Sequence, residues 1–468
     1  MLVAPTIAAW LRTNPRGAPL IWASLGFLPF VIGPWHLLVA PYATPQWSGY
    51  VKGWEVSLLD SVAIGVLVGT RGRWPRITLL VPFLAYLFAV MLAIHQAQFG
   101  AFAVSYMIQL FRVFLVFLAV ARVVANERGE RGVLIGLVAG LAVQAGYAIW
   151  ARAGGALQTG GSLGHQNLLG FVSHMVLMPA FALLLAGRWQ KIALTGVLAG
   201  IIAVILTVSR ATIAFSAAGL ALTLLLSIIL NFTGRKALTG ALAVFLLACS
   251  YPLVQSELHR RFELQGSTFF AEDKERGSFE QAAHAMLTAN PTGVGPNHYV
   301  FIANTQGYSS RAGVAWRTES RSTNVHNSYL LVAVETGYFG LLTMLALLGS
   351  TMWYAFSTAV RFRNQPSAQI LIGLGCGILA VSLHSFFEWV FVLYPTQYLF
   401  AVSLGLISGI RSRLDRNLAL TSSVKRSSNR RYKRRGVAVE SIDADVGTEL
   451  ETYDAFPSRI KHVTQTEI

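Results

Sequence analysis

Charge is what this sequence has least of. Only 12% of its 468 residues are Asp, Glu, Lys or Arg, against about 25% in an average soluble domain. With 54% of residues hydrophobic, the bulk of the chain needs lipid as its solvent. Cysteine is nearly missing as well: Cys249 and Cys376 are the two present, both inside apolar runs. Free thiols packing as small hydrophobes are expected there, a single bridge being the alternative, and redox chemistry is set aside. No cleavable leader is evident, because the first apolar stretch, Leu20 to Ala40, is long enough to span and lacks a small-residue cleavage site. Clustered carboxylates are missing outside, where the first outer loop, Pro41 to Gly53, has no Asp or Glu, so no metal or other cofactor is expected. The turn Gly293-Val294-Gly295 lacks the Lys and Ser or Thr of a phosphate loop. No internal repeat argues for an inverted-repeat transporter.

What is present is a series of long apolar runs. A bilayer core takes about 20 apolar residues per helix, and spans are read near 20–40, 54–70, 77–95, 101–122, 132–151, 167–187, 190–208, 211–231, 238–255, 327–357, 367–388 and 392–410. The expected fold is therefore an all-α polytopic membrane protein of about twelve transmembrane helices. The net charge of +16 does not point to nucleic acid, because Lys and Arg fall in short gaps between the runs. Arg71, Arg73 and Arg76, then Arg122, Arg128 and Arg131, then Arg188 and Lys191, lie on one side. Arg235 and Lys236, Arg361 and Arg363, and Arg411 and Arg413 join them there. The positive-inside rule makes that side cytoplasmic and places the N-terminus, 1–19, with it.

The domain reading follows: spans one to nine over 20–255, one large outer loop over 256–325, spans ten to twelve over 326–411, and a tail over 412–468. Loops this long usually carry function. Within it, Phe279, Ala282, Ala283 and Met286 recur at helical spacing and the pattern stops at Asn290-Pro291, which predicts an amphipathic helix over Glu275 to Asn290. The tail is basic from Lys425 to Arg435 and acidic from Glu440 to Asp454, and is expected to be disordered and cytoplasmic. Its basic half either meets anionic lipid or simply stops the last helix.

Several polar residues sit where chemistry is possible. His326 stands where the outer loop re-enters the membrane, so its imidazole can meet water and a lipid-linked substrate together and accept a hydroxyl proton near neutral pH; a structural role is the alternative. Arg210 interrupts two apolar runs on the side where cations are otherwise scarce, and Arg276 opens the loop helix. Both suit phosphate oxygens, with solvation or a salt bridge as the alternative. Arg311, Arg317 and Arg321 are rivals for that role, and His259, His284 and His298 share the loop with His326. Arg112 and Asp60, each near the middle of a span, are expected to pair. Glu335, nine residues beyond His326, turns about 900° away and should face the opposite side of a continuous helix. His384 and Glu388, four apart, should share a face and either line a cavity or pack together.

Five segments, in order around one long loop, resemble the O-antigen ligase and polymerase family. They are Gly164-His165-Gln166-Asn167, Ser209-Arg210-Ala211, Asn290-Pro291-Thr292-Gly293-Val294-Gly295, His326-Asn327-Ser328-Tyr329-Leu330 and Glu335-Thr336-Gly337-Tyr338-Phe339-Gly340. The likeness runs from about residue 160 to 345. It implies a GT-C-like membrane glycosyltransferase fold in the cell inner membrane, with the active site facing the periplasm. The implied donor is an undecaprenyl diphosphate-linked glycan, and the acceptor a lipid A core or growing glycan. It further implies His326 as the essential histidine and Arg210 and Arg276 as diphosphate ligands, with Asn167, Asn327, Arg321, Glu335, His384 and Glu388 in support. Polymerase or protein O-oligosaccharyltransferase activity belongs to the same family. A transporter or flippase is the rival of another class, and a non-catalytic assembly subunit a further one. A transport path would string charge through the membrane, whereas here the charges gather at one outer face.

Overall fold

The computed structural model describes residues 3–434 of the chain. It is helical almost throughout, and each of the twelve apolar stretches overlaps a helix, although the first, 20–40, ends in a strand and the second, 54–70, begins in one. The chain starts with α1 (Val3–Thr13) and α2 (Ala18–Phe27), then makes a short antiparallel hairpin of β1 (Leu38–Ala43) and β2 (Gly53–Ser57). Next come α3 (Leu58–Gly69), α4 (Leu80–Ala93), α5 (Gly100–Val124), α6 (Glu127–Ala153), α7 (Gln166–Ala186), α8 (Gln190–Thr207) and α9 (Arg210–Leu230). A 56-residue helix, α10 (Gly234–Ala289), leads into three short helices, α11 (Tyr299–Thr305), α12 (Tyr308–Arg311) and α13 (Thr318–Arg321). The last three are α14 (Ser328–Arg361), α15 (Pro366–His384) and α16 (Tyr394–Arg434). Among the described residues, α5 to α9, α14 and α15 are long and apolar enough to cross a membrane, and α2, α3 and α4 are shorter apolar helices.

Local chemistry sets the helix ends. Ser57 and Asp60 form a reciprocal capping box at the start of α3, and Asn126, Ser209, Thr233 and Asn327 cap α6, α9, α10 and α14 by accepting from the first free backbone N–H groups. Gly187 closes α7 in a left-handed conformation. One difference from the sequence reading concerns α10. The span expected over 238–255 and the helix expected over Glu275 to Asn290 are a single helix. Between them the sequence has no proline and one glycine, Gly266, so nothing interrupts the backbone ladder. The expected stop at Asn290-Pro291 is where α10 ends, and Phe279, Ala282, Ala283 and Met286 are buried.

The centre of the bundle is α7, buried on nearly every side and packed against α8, α9 and α15. A helix with no solvated face keeps its apolar character all round, which is how α7 reads. One end of the bundle gathers the cations from the short gaps. Arg188 and Arg413 both reach the fully buried Glu130, Arg188 at 2.8 Å, and both bond Ser367 Oγ at 2.8 Å. Arg122 donates to the Thr70 carbonyl at 2.5 Å, and Arg411 to Thr358 Oγ1 at 3.1 Å. Residues through Arg413 form one compact unit and those from Leu414 a second. The tail expected from residue 412 thus begins inside α16, while the acidic stretch from Glu440 to Asp454 lies outside the described residues.

Candidate active site

The opposite end of the bundle is built on one carboxylate. α15 stops at His384, and a turn carries the chain through Ser385 to Glu388 before the short 390–392 turn. Ser328, at the first position of α14, clamps this turn: its Oγ donates to the Glu388 carbonyl at 2.6 Å, and its N–H to the Ser385 carbonyl at 2.8 Å. The Glu388 side chain is thereby held inside, 2% exposed.

Three elements then converge on it. Asn167, in the first turn of α7, donates its amide to Oε1. Arg276, in the last third of α10, brings Nη2 to 3.3 Å from the same oxygen. His326, just before the Asn327 cap, places Nδ1 3.3 Å from Oε2. The tautomer that satisfies both groups puts the ring proton on Nδ1, donating to the carboxylate and leaving the Nε2 lone pair for a substrate. His326 is 21% exposed and Arg276 38%, so both remain reachable. Phe279 lies against the imidazole with ring centres 5.9 Å apart.

A second imidazole stands at the same mouth. His165, the N-cap residue of α7, is open to solvent yet crowded by protein atoms, and the crowding lowers its pKa. Glu388 opposes that shift, while the positive charge of Arg276 adds to it, so near neutral pH the ring is uncharged. Arg210 is exposed in the first turn of α9. That turn abuts α7 one turn beyond Asn167, where Gly170 faces Thr212 so closely that a Cβ would strike its Oγ1.

The structure separates other residues from this cluster. α14 starts only at Ser328, after His326, so the count along a continuous helix does not apply, and Glu335 makes its contacts elsewhere. Its Oε2 accepts from Tyr50 Oη at 2.6 Å and its Oε1 from the Tyr299 N–H at 3.0 Å. Burial, reinforced by the Glu335 charge, pushes the Tyr50 phenol well above its ordinary pKa and keeps it a donor. His384 and Glu388 do not share a helix face, because α15 ends between them. His384 instead faces inward, its Nδ1 3.3 Å from His174 Nε2, and His174 Nδ1 meets Ser216 Oγ at 3.1 Å.

Arg321 is a staple: it donates to the Ala315 and Val314 carbonyls at 3.1 and 2.7 Å and stacks on Trp316 at 3.9 Å. Arg317 pairs with Glu275 at 2.9 Å, and Arg311 lies over Tyr308. His298 is structural too. It donates from Nδ1 to the Pro296 carbonyl at 2.8 Å and accepts the Phe99 N–H on Nε2 at 3.1 Å. Exposed His259 faces Glu263, and His284 is exposed. Two contributors escaped the sequence reading. His165 lay inside a quoted motif but was given no role, and Tyr50 carried no signal, since it acts through a contact 285 residues away.

The two glycine-bearing motifs prove to be halves of one junction. α14 breaks at Gly337, which has φ +70°. The Val334 and Glu335 carbonyls freed by the break accept from Val294 N–H at 2.9 Å and Gly295 N–H at 3.0 Å. A Cβ on Gly293 would lie 2.6 Å from the Glu335 carbonyl oxygen, and one on Gly337 2.6 Å from the Thr292 carbonyl carbon. Only glycines allow backbone to meet backbone this closely.

Residues 194–345 match the family model for O-antigen ligase. Over this stretch the chain is similar to the O-antigen ligase family. An activity of that type, broadly ligase or glycosyltransferase, goes with the domain. Among curated proteins no significant relative is found. The matched stretch contains Arg210, Arg276, His326 and Glu335 but neither Asn167 nor Glu388. The carboxylate that holds His326 therefore lies beyond the C-terminal limit of the matched stretch.

Proposed function

We propose that the protein transfers a glycan from an undecaprenyl diphosphate carrier to a hydroxyl of a lipid A core or growing glycan, at the periplasmic face of the inner membrane. The observation that carries this is the convergence of His326, Arg276 and Asn167 on buried Glu388. An imidazole held by a carboxylate through Nδ1 has Nε2 free and oriented, as a general base for an acceptor hydroxyl requires. Arg276 is pinned through one nitrogen and open on its other side, where it faces the phosphates together with Arg210 at its helix start.

In the reaction, the acceptor oxygen loses its proton to His326 Nε2 and forms a bond to the sugar C1. The bond from C1 to the diphosphate oxygen breaks on the opposite face, and its electron pair leaves with the diphosphate. Arg276 and Arg210 stabilise that growing negative charge. Opposite-face attack inverts the anomeric centre in a single displacement, with no covalent enzyme intermediate.

The decisive experiment compares a deletion strain complemented with wild type or His326→Ala. Loss of transfer with wild-type amounts of folded protein in the membrane is expected, and a variant with wild-type turnover would overturn the proposal. The glycan that disappears identifies the acceptor. Absence of all long glycan from lipid A means ligation, retention of one repeat means polymerisation, and unglycosylated protein means protein transfer. Turnover by purified protein in detergent, with no second compartment, separates transfer from transport.

A further inference from the structure

A cavity of about 420 Å³ lies beside the His326 cluster and is used by nothing described so far. Its walls come from five parts of the chain: Gly33 after α2, Tyr50 and Glu55 of the hairpin, Gln109 of α5, Ser162 and Leu168 around the start of α7, and Tyr394 at the start of α16. Leu168 follows Asn167, whose amide holds Glu388, so the first turn of α7 is a wall common to the cavity and the cluster. The volume falls within the range of about 300–1,000 Å³ typical of small-ligand sites.

The chemistry of the lining selects the ligand. No Lys or Arg lines the cavity and a carboxylate, Glu55, does, so phosphate or diphosphate is repelled. A polyprenyl tail is equally unsuited, because the Glu55 carboxylate and the Tyr394 hydroxyl would lose water without gaining a partner. A neutral polyhydroxylated ring satisfies both demands: hydroxyls donate to the Glu55 carboxylate and to Gln109 Oε1 and exchange hydrogen bonds with the Tyr394 hydroxyl, while Tyr50 and Leu168 cover C–H faces. Glu55 is suited to accept, since among the described residues its carboxylate is engaged only through Oε2, by Arg112 Nη1 at 3.5 Å. Arg112 is anchored independently by Asp60 at 2.7 Å, so Glu55 is not needed to neutralise it.

We infer that this cavity is a saccharide subsite that holds a neutral sugar of the acceptor glycan next to His326. The word acceptor rests on the transfer reading above; the saccharide assignment rests on the cavity alone.

The test uses the full chain purified in detergent and two soluble probes. One is the core oligosaccharide freed from the host's lipid A, and the other is the oligosaccharide released by mild acid from its lipid-linked donor. Saturation-transfer NMR should show the core oligosaccharide bound by wild type and by His326→Ala alike. Binding should weaken about 10-fold or more in Glu55→Gln, the scale set by losing one hydrogen bond to a charged group. Leu163→Trp, which fills the cavity, should abolish it. In turnover assays both cavity variants should raise KM for the acceptor and leave KM for the donor unchanged, with wild-type melting temperatures showing that they are folded.

Undiminished oligosaccharide binding and acceptor KM in both variants would overturn the subsite. Binding of the donor oligosaccharide alone would overturn its assignment to the acceptor. If His326→Ala still transferred glycan while the cavity variants lost oligosaccharide binding, the transfer mechanism would fall and the saccharide site would stand.

Discussion

At the scale of single residues, Glu388 carries more consequence than its place in the sequence suggests. Two of its oxygens serve three side chains, so replacing it by glutamine keeps the volume but exchanges one acceptor oxygen for an amide that repels the Nδ1–H of His326. The imidazole then loses its tautomer as well as its anchor. By analogy with other carboxylate-oriented histidines, Glu388→Gln should lower kcat by roughly 10²–10⁴-fold, with KM for the acceptor little changed. Single-turnover rates on purified protein would measure this, and a fall of less than threefold would remove Glu388 from the mechanism. Asn167→Ala, which deletes one support, should cost about 10-fold. His326 and Arg276 stood out in the sequence mainly through the family resemblance, because alone an interfacial histidine is more often structural and a loop arginine is as readily solvated or salt-bridged. The role of Glu388 did not stand out. Its partners lie 62, 112 and 221 residues away, and reading it as the next turn of α15 aligned it with His384, whereas the helix ends first.

At the scale of elements, the site is set by the junction between the 291–295 turn and the break in α14. The turn fixes where the descending chain after α10 meets α14, and Glu335 completes the seam by holding the Tyr299 N–H and Tyr50. Any side chain at Gly337 must adopt a left-handed conformation and push against the Thr292 carbonyl. Gly337→Ala should therefore destabilise the protein by at least about 2 kcal/mol, seen as a lower melting temperature in detergent. Gly349→Ala, in the same helix with open space around it, is the matched control and should be neutral or slightly stabilising. Equal melting temperatures for the two variants would show that the junction has room the structure does not. The sequence placed these glycines in suggestive motifs and located the stop at Asn290-Pro291. It did not reveal that the motifs touch, since a break in a helix and the turn that fills it are separated by more than 40 residues and share no periodic signal. The continuity of α10 escaped for a related reason: a polar stretch reads as a loop when hydropathy is the guide, yet its residues are good helix formers.

At the scale of the whole molecule, the span pattern was readable because lipid imposes it, and two of the gaps assigned to one side on charge alone do meet, with Arg188 and Arg413 both on Glu130. The pairing of Arg112 with Asp60 was legible for the same reason, as buried charge in a bilayer must find its opposite. The structure adds that Asp60 serves more than the arginine. Its Oδ2 also accepts from the Ser57 N–H at 2.7 Å and Ser57 Oγ at 2.8 Å, and its Oδ1 from Tyr398 Oη at 2.7 Å. This one carboxylate thus joins the β1–β2 hairpin, α3, α5 and α16. Reversing either charge alone leaves two like charges buried together, a loss of about 3–5 kcal/mol for a broken buried pair, and should deplete folded protein from the membrane. Exchanging both residues restores opposite charges but places a guanidinium where the Ser57 N–H and Tyr398 hydroxyl need an acceptor. The double variant should therefore recover part of the yield, above either single reversal and below wild type. Size-exclusion profiles of detergent extracts measure all four proteins together. A double variant no better than the single ones would mean that the hydrogen bonds of Asp60, not its charge on Arg112, hold the hairpin and three helices together.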